Sequence, residues 1–146
     1  MEIRKFKITD YDEAYALWQS VPGMGLNDVD DSRAGIEKYL KRNPRTAFVS
    51  VLDGQIVGII LAGHDGRRGY IHHTCVASDF RHNGIGTRLV ETALDALKCE
   101  GISKVALVVF AQNDGGNAFW ERMGFSTRPD LHYRNKALID LVRIEP

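Results

Sequence analysis

Only two cysteines, no net charge and no long apolar run set the first limits on this chain. Cys75 and Cys99 have neither C-x-x-C spacing nor the dense, even pattern of a disulfide scaffold, so free thiols in a reducing cytosol are expected. Nineteen Lys and Arg balance nineteen Asp and Glu, which removes the broad electrostatic footprint of a general nucleic-acid binder. No segment is apolar for long enough to serve as a signal peptide or to span a membrane, and a cytoplasmic protein with no membrane partner is expected. Repeats, linkers and low-complexity segments are also missing. What remains is the composition of an ordinary globular domain, one unit over 1–146 that is long enough to bury a core.

Periodicity supplies the elements. Residues 2–8 alternate, with Ile3, Phe6 and Ile8 among charges, and predict a first strand. Thr9 and Asp12 have the spacing of a capping box, opening an amphipathic helix with Ala14, Leu17, Trp18 and Val21 on one face. Pro22-Gly23-Met24-Gly25 breaks that helix and begins a loop through Asp31. Ile36, Tyr39 and Leu40 mark a second helix ending before Pro44. Apolar runs at 48–52 and 55–61 flank Asp53-Gly54 as a hairpin. A turn at 65–69 then feeds a strand from Tyr70 to Val76. Ile85, Leu89, Ala93 and Leu97 repeat every fourth residue in a helix closed by Gly101. The run 104–110 reads as a strand covered on both faces, and Phe119, Trp120 and Met123 as a short helix stopped by Gly124. Strands near 125–128 and 137–144 complete an α/β (α+β) order βααβββαβαββ. It predicts a mixed, mostly antiparallel sheet of six to seven strands with helices on both faces, parallel only around the helix at 84–100.

One junction asks for more than packing. Arg81-His82-Asn83-Gly84-Ile85-Gly86-Thr87 lies between a strand and a helix. Amides at a helix N-terminus have no intrahelical partner, and the helix dipole adds partial positive charge there. Glycines at 84 and 86 let the backbone curl toward an anion, with Arg81 as a cation at the rim. The stretch reads as a phosphate cradle suited to a diphosphate. A dinucleotide fingerprint fits poorly, because Leu89 stands where a third small residue belongs and Phe110 where an acidic one does. A Walker A loop lacks its Gly-Lys-Ser/Thr.

The same residues resemble the core motif of the GNAT superfamily of acyl-CoA-dependent N-acetyltransferases, Arg/Gln-x-x-Gly-x-Gly/Ala. A second stretch, from Asn113 through Phe119-Trp120-Glu121-Arg122-Met123-Gly124-Phe125, is similar to the family's N-x-x-A-x-x-[LF]-Y-x-x-x-G-F segment. The resemblance covers nearly the whole chain. It implies that Arg81, His82, Asn83, Gly84, Ile85, Gly86 and Thr87 hold the pyrophosphate of acetyl-CoA, chiefly through amides. It implies too that the strand edge at Cys75 and Val76 pairs with the pantetheine arm, and that strands 70–76 and 104–110 splay apart to admit the thioester. Asn113 would contact the arm from the other side, with Phe119 and Trp120 lining the cleft.

The implied reaction is direct attack of a primary amine on the thioester, the acceptor being a small molecule or a protein N-terminus and the protein a monomer or homodimer. A backbone amide near Val76 suits the developing oxyanion. Tyr70 and His72 stand where some members carry their catalytic base, and His72 has an ordinary pKa of about 6.5, suited to taking a proton. Strand alternation is expected to put Tyr70, His72 and Thr74 on one face and Ile71, His73 and Cys75 on the other. That makes His73 structural and a zinc site from the two histidines unexpected. Trp120 departs from the family's usual tyrosine, since an indole donates a hydrogen bond but no proton; Tyr133 or water would then protonate the thiolate. The departure raises an alternative, a module that binds acyl-CoA without transferring it. Asn27-Asp28-Val29-Asp30-Asp31 reads as a solvated loop with Asp31 or Ser32 capping the next helix. Arg67 and Arg68 read as turn arginines within reach of an adenosine 3′-phosphate.

Overall fold

The computed structural model describes residues 1–144, and alternation and capping account for most of its elements. Strand β1 (Glu2–Lys5) leads through a short 3-10 turn into helix α1 (Tyr11–Gln19). A two-residue strand β2 (Leu26–Asn27), helix α2 (Arg33–Arg42) and three strands β3 (Phe48–Leu52), β4 (Gln55–His64) and β5 (Gly69–Val76) follow. Helix α3 (Ile85–Cys99), strand β6 (Val105–Ala106), helix α4 (Asp114–Arg122) and strand β7 (Arg143–Ile144) complete the chain. The main sheet has five strands in the order β1-β3-β4-β5-β6, antiparallel throughout except for the parallel β5–β6 pair. A separate ribbon pairs β2 with β7. Among the described residues, no helix is long and apolar enough to cross a membrane.

Two apolar layers sandwich the sheet. Phe6, Trp18, Ile36, Val49 and Ile59 form the layer under α1 and α2. Phe48, Ile60, Ile71, Leu89, Val90 and Leu97 form the layer under α3, with Phe119 and Trp120 of α4 against it. Helix α3 buries the stripe Ile85, Leu89, Ala93 and Leu97 because those residues recur on one face. At the β3–β4 hairpin, Asp53 (φ 51°) and Gly54 (φ 77°) both occupy the left-handed region that a tight turn of this twist requires.

Several boundaries differ from expectation. The first cap uses Asp10 rather than Thr9 and Asp12: its carboxylate accepts from the Lys7 amide at 2.9 Å and grips Arg4 at 2.8 and 2.9 Å. Ser32, accepting from the Gly35 amide at 3.0 Å, caps α2. The strand expected over 104–110 shrinks to Val105–Ala106, because beyond it one side of the segment lies open: Leu107 and Val109 are half-buried while Val108 and Phe110 are exposed. Residues 125–128 form no strand, and 137–144 contributes only Arg143 and Ile144. The sheet therefore has five strands plus a ribbon instead of six or seven.

The most consequential difference lies inside β5. Thr74 faces Ile60 and Ile71 faces Ala62, so His72 and His73 together oppose the single residue Leu61. This is a β-bulge, and the extra residue breaks the alternation. Ile71 and Val76 lie in the α3 layer, whereas Cys75 lies in the α1–α2 layer. Both histidines turn toward the α1–α2 side, His72 against Tyr39 and His73 against Trp18. The expected division of faces is thus wrong beyond residue 72: Thr74, opposite Ile60, joins the α3 side.

Packing of α3 on the sheet can be tested with two glycines. A Cβ at Gly58 would lie 2.6 Å from Ser50 Oγ, 2.9 Å from Leu89 Cδ1 and 3.1 Å from Ile85 Cγ2. Gly58→Ala should therefore destabilise by about 1–3 kcal/mol, the usual scale of overpacking. Gly115→Ala in α4 meets nothing within 4 Å and should stabilise by about 0.4–1 kcal/mol. Thermal denaturation reads both, and equal shifts would contradict this placement of α3.

Candidate active site

Strand β5 has two neighbours at one end and one at the other. Its parallel ladder with β6 consists of Gly69 opposite Val105 and Tyr70 opposite Ala106. From Ile71 to Val76 that edge is free while β4 still pairs along the opposite edge. The Ala77 amide donates to the Val57 carbonyl at 2.8 Å, so alternation turns the Val76 amide away from β4, toward the open edge. The Val76 carbonyl accepts from Arg81 Nε at 3.2 Å. The expected splay is present, and it leaves backbone donors and acceptors facing a gap.

The cradle adjoins the C-terminal end of this edge. His82 (φ 65°) and Gly84 (φ 78°) take left-handed conformations, curling the chain into α3. The Arg88 amide is the first to find a helical acceptor, the Gly84 carbonyl at 3.1 Å. The amides of Ile85, Gly86 and Thr87 precede it and have no such acceptor, as the first turn of a helix dictates. Asn83 Nδ2 donates to the carbonyls of Phe80 and Arg81 at 3.2 Å and holds the turn. Arg81, His82, Asn83 and Gly84 are exposed, Gly86 and Thr87 half-buried. Ile85 offers only its amide, because its side chain is core. A Cβ at Gly86 would already touch Phe119 at 3.4 Å, so α4 abuts the cradle there.

Across the gap, Asn113 caps α4, its Oδ1 accepting from the Gly116 amide at 2.9 Å. A Cβ at residue 116 would lie 2.6 Å from the Asn113 carboxamide, which accounts for glycine where the family pattern has alanine. Trp120 is half-buried, edge-on to Phe119 and Phe125 at 5.0 and 5.2 Å. Cys75 is buried and its thiol is pushed up to about 12 by that burial, with Arg81 opposing weakly, so it stays protonated.

The bulge organises the other face. His73 Nε2 meets Asp31 Oδ1 at 2.5 Å, and the ring stands edge-on to Trp18 at 5.0 Å. Asp31 is buried, accepts from the Asn27 amide at 2.8 Å, and its carbonyl accepts from Tyr11 Oη at 2.6 Å. His73 is structural, as expected, and ties the 27–31 loop to the sheet. His72 is left at the surface, its ring 5.5 Å from Tyr39 and 4.6 Å from Tyr70. Packing still excludes enough water to hold its pKa below the ordinary 6.5; His73 adds to this, while Asp31 and Asp30 act the other way. Tyr133 is 68% exposed and near enough to Tyr70 to join burial in raising that phenol's pKa. It therefore belongs to the Tyr70 end of β5, six residues or about 20 Å from Val76. Although the histidines share a face, no group of three His, Cys, Asp or Glu gathers to hold a metal among the described residues.

Tyr70 and His72 line a cavity of about 310 Å³ between α2 and the β4–β5 hairpin, together with Tyr39, Arg42 and Arg68. Sequence reasoning missed Tyr39, Arg42 and Arg68 here. The sequence pattern puts Tyr39 on a helix face and reads Arg67 and Arg68 as turn arginines within reach of an adenosine 3′-phosphate. Arg68 sits at the opposite end of β5 from the cradle, which removes it from that role.

Comparison with known proteins agrees with this fold. The acetyltransferase (GNAT) family matches residues 11–125. An acetyltransferase of Sodalis glossinidius is 30% identical over 96% of this chain and 97% of its own length. One from Pectobacterium atrosepticum is 32% identical over 87% of this chain and 89% of its own. Among solved structures, the PaiA N-acetyltransferase of Thermoplasma acidophilum in complex with coenzyme A superposes with a TM-score of 0.76. It is 19% identical, covering 87% of this chain and 90% of that one. The ribosomal-protein-alanine N-acetyltransferase of Brucella melitensis biovar Abortus superposes at 0.71, with 21% identity over 94% of this chain and all of that one. At these identities the solved structures speak to the fold.

The microenvironment of His72 yields a titration. Because its folded pKa lies below 6.5, the unfolded chain binds more protons across the interval between them. Stability should fall as pH drops from 6.5 through that interval, and His72→Asn should flatten the dependence. An NMR ring titration of His72 with a midpoint at or above 6.5 would contradict the packing described.

Proposed function

We propose that this chain, which belongs to the acetyltransferase (GNAT) family, transfers an acetyl group from acetyl-CoA to a primary amine by direct attack while both substrates are bound. Family membership makes it an acyltransferase. The observation that carries the finer reading is the free edge of β5 leading into unpartnered amides at Ile85, Gly86 and Thr87. An amide-bearing arm would pair with that edge at Cys75 and Val76 as an added strand, and the diphosphate would meet the cradle between Arg81 and Thr87. Asn113, Phe119 and Trp120 would close the opposite side.

Each chemical requirement has a candidate. His72, kept neutral near pH 7 by its depressed pKa, would take the ammonium proton directly or through water, with Tyr70 beside it. The Val76 amide would donate to the oxyanion, preorganised by the strand. A protonated, buried Cys75 is a poor nucleophile, which favours transfer in a ternary complex over an acyl-cysteine. Thiolate departure needs little help, since a thiol pKa of about 8.5 makes a fair leaving group. Trp120 would contribute a wall and a hydrogen bond, and water the proton. Solved neighbours include an aminoglycoside 6′-N-acetyltransferase of Acinetobacter haemolyticus and the ribosomal-protein enzyme already noted, so amines of either size are compatible with the fold.

Two experiments check this reading. Calorimetry should show acetyl-CoA binding to the native chain and none to Gly84→Glu or Gly86→Glu, with circular dichroism unchanged. Equal binding by all three would remove the cradle from the account. His72→Ala should slow amine acetylation by about 10²-fold near neutral pH, the scale of general-base catalysis. Undiminished turnover in that variant would leave His72 a packing residue.

A further inference from the structure

Two guanidiniums, those of Arg42 and Arg68, face the same cavity as His72, with Asp65 on its lining near enough to Arg42 to act on it electrostatically. The Arg42 guanidinium makes no hydrogen bond or ion pair among the described residues, and that of Arg68 reaches only Ser103 Oγ at 3.3 Å. The nearby carboxylates are already engaged. Asp65 Oδ1 accepts from the Arg67 and Arg68 amides at 2.7 Å, and Glu100 is shared by Arg45 and His64 at 2.7 and 2.9 Å. Tyr39 gives the same cavity an aromatic wall, its hydroxyl buried against Gly63 of β4. On the far side of His72 the charge changes sign, for Asp30 and Asp31 act on its ring. Asp31 is committed to His73, whereas Asp30 is exposed.

Taking the acetyltransferase reading as its basis, we propose that the acceptor is a small zwitterion, an amine bearing a carboxylate. The carboxylate lies between Arg42 and Arg68, and the amine lies toward His72 and Asp30. Guanidinium groups suit a carboxylate because their paired N–H groups match its two oxygens. The cavity, about 310 Å³, is at the small end of ligand sites, which span about 300–1,000 Å³. A compact amino-acid-like molecule fits that volume, and a long peptide does not gain from it.

The test measures thiol release from acetyl-CoA with a panel of free amino acids, each beside its own carboxamide, and with tripeptides. Free acids are expected to show KM values about tenfold or more below their carboxamides, the scale of a charge-assisted hydrogen bond. In Arg42→Gln and Arg68→Gln this preference should collapse through KM with little change in kcat, and Arg42→Lys should keep part of it. Arg67→Gln, on the same turn but off the cavity, controls for folding and should keep all of it. Carboxamides or tripeptides acetylated as well as free acids, or a preference indifferent to Arg42 and Arg68, would overturn the proposal while leaving the transferase reading standing. Thiol release with no amine at all would bring down both.

Discussion

Everything functional here depends on one constraint: β5 holds β4 along its whole length but β6 for only two residues. A strand edge stripped of its neighbour exposes amides and carbonyls that must find water or a ligand. In this chain the stripped edge runs from Ile71 to Val76 and ends where Arg81 fastens the next turn to the Val76 carbonyl. The cradle follows at once, so strand edge and helix N-terminus form one continuous polar surface. Apolar layers on both faces of the sheet hold that surface in place, with Ile71 and Val76 anchored under α3 and Cys75 under α1 and α2.

The bulge at His72 and His73 divides labour between two adjacent, chemically identical side chains. Without the extra residue, they would point to opposite layers. With it, both reach the α1–α2 side, where a buried aspartate claims one and leaves the other free. The His73–Asp31 contact carries the 27–31 loop to the sheet, and Asn27 then caps that loop through the amides of Val29 and Asp30. Asp30 is thereby presented near His72. The histidine that ties the loop and the histidine proposed as the base thus belong to one arrangement.

Much of this was legible in the chain. Helix α3 announces itself by Ile85, Leu89, Ala93 and Leu97, the β3–β4 hairpin by Asp53-Gly54, and the cradle by Gly84 and Gly86. These signals are local and repeat a known period. The bulge was not legible, because Tyr70-Ile71-His72-His73-Thr74-Cys75 reads as unbroken alternation and one inserted residue changes no composition. Its trace is that Ile71 and Val76, five positions apart, share a layer, which only the folded sheet discloses. The C-terminal strands were over-read for a related reason. Leu138, Ile139, Leu141 and Val142 have the residue types of a strand, yet strand pairing is confined to Arg143 and Ile144 against β2, with Val142 hydrogen-bonded to Asp28 just beyond it. The Arg42–Arg68 cavity was invisible because it joins the end of a helix to a turn through long-range packing.

The most direct test of the account is a ¹⁵N-edited NMR titration of the chain with coenzyme A. If the free edge and cradle are one binding surface, the amides of Val76, Ile85, Gly86 and Thr87 should shift together and saturate at the same ligand concentration. The amides of β1 and β3, on the far side of the sheet, should stay still. Saturable shifts confined to other elements, with Val76 and residues 85–87 unmoved, would contradict the account.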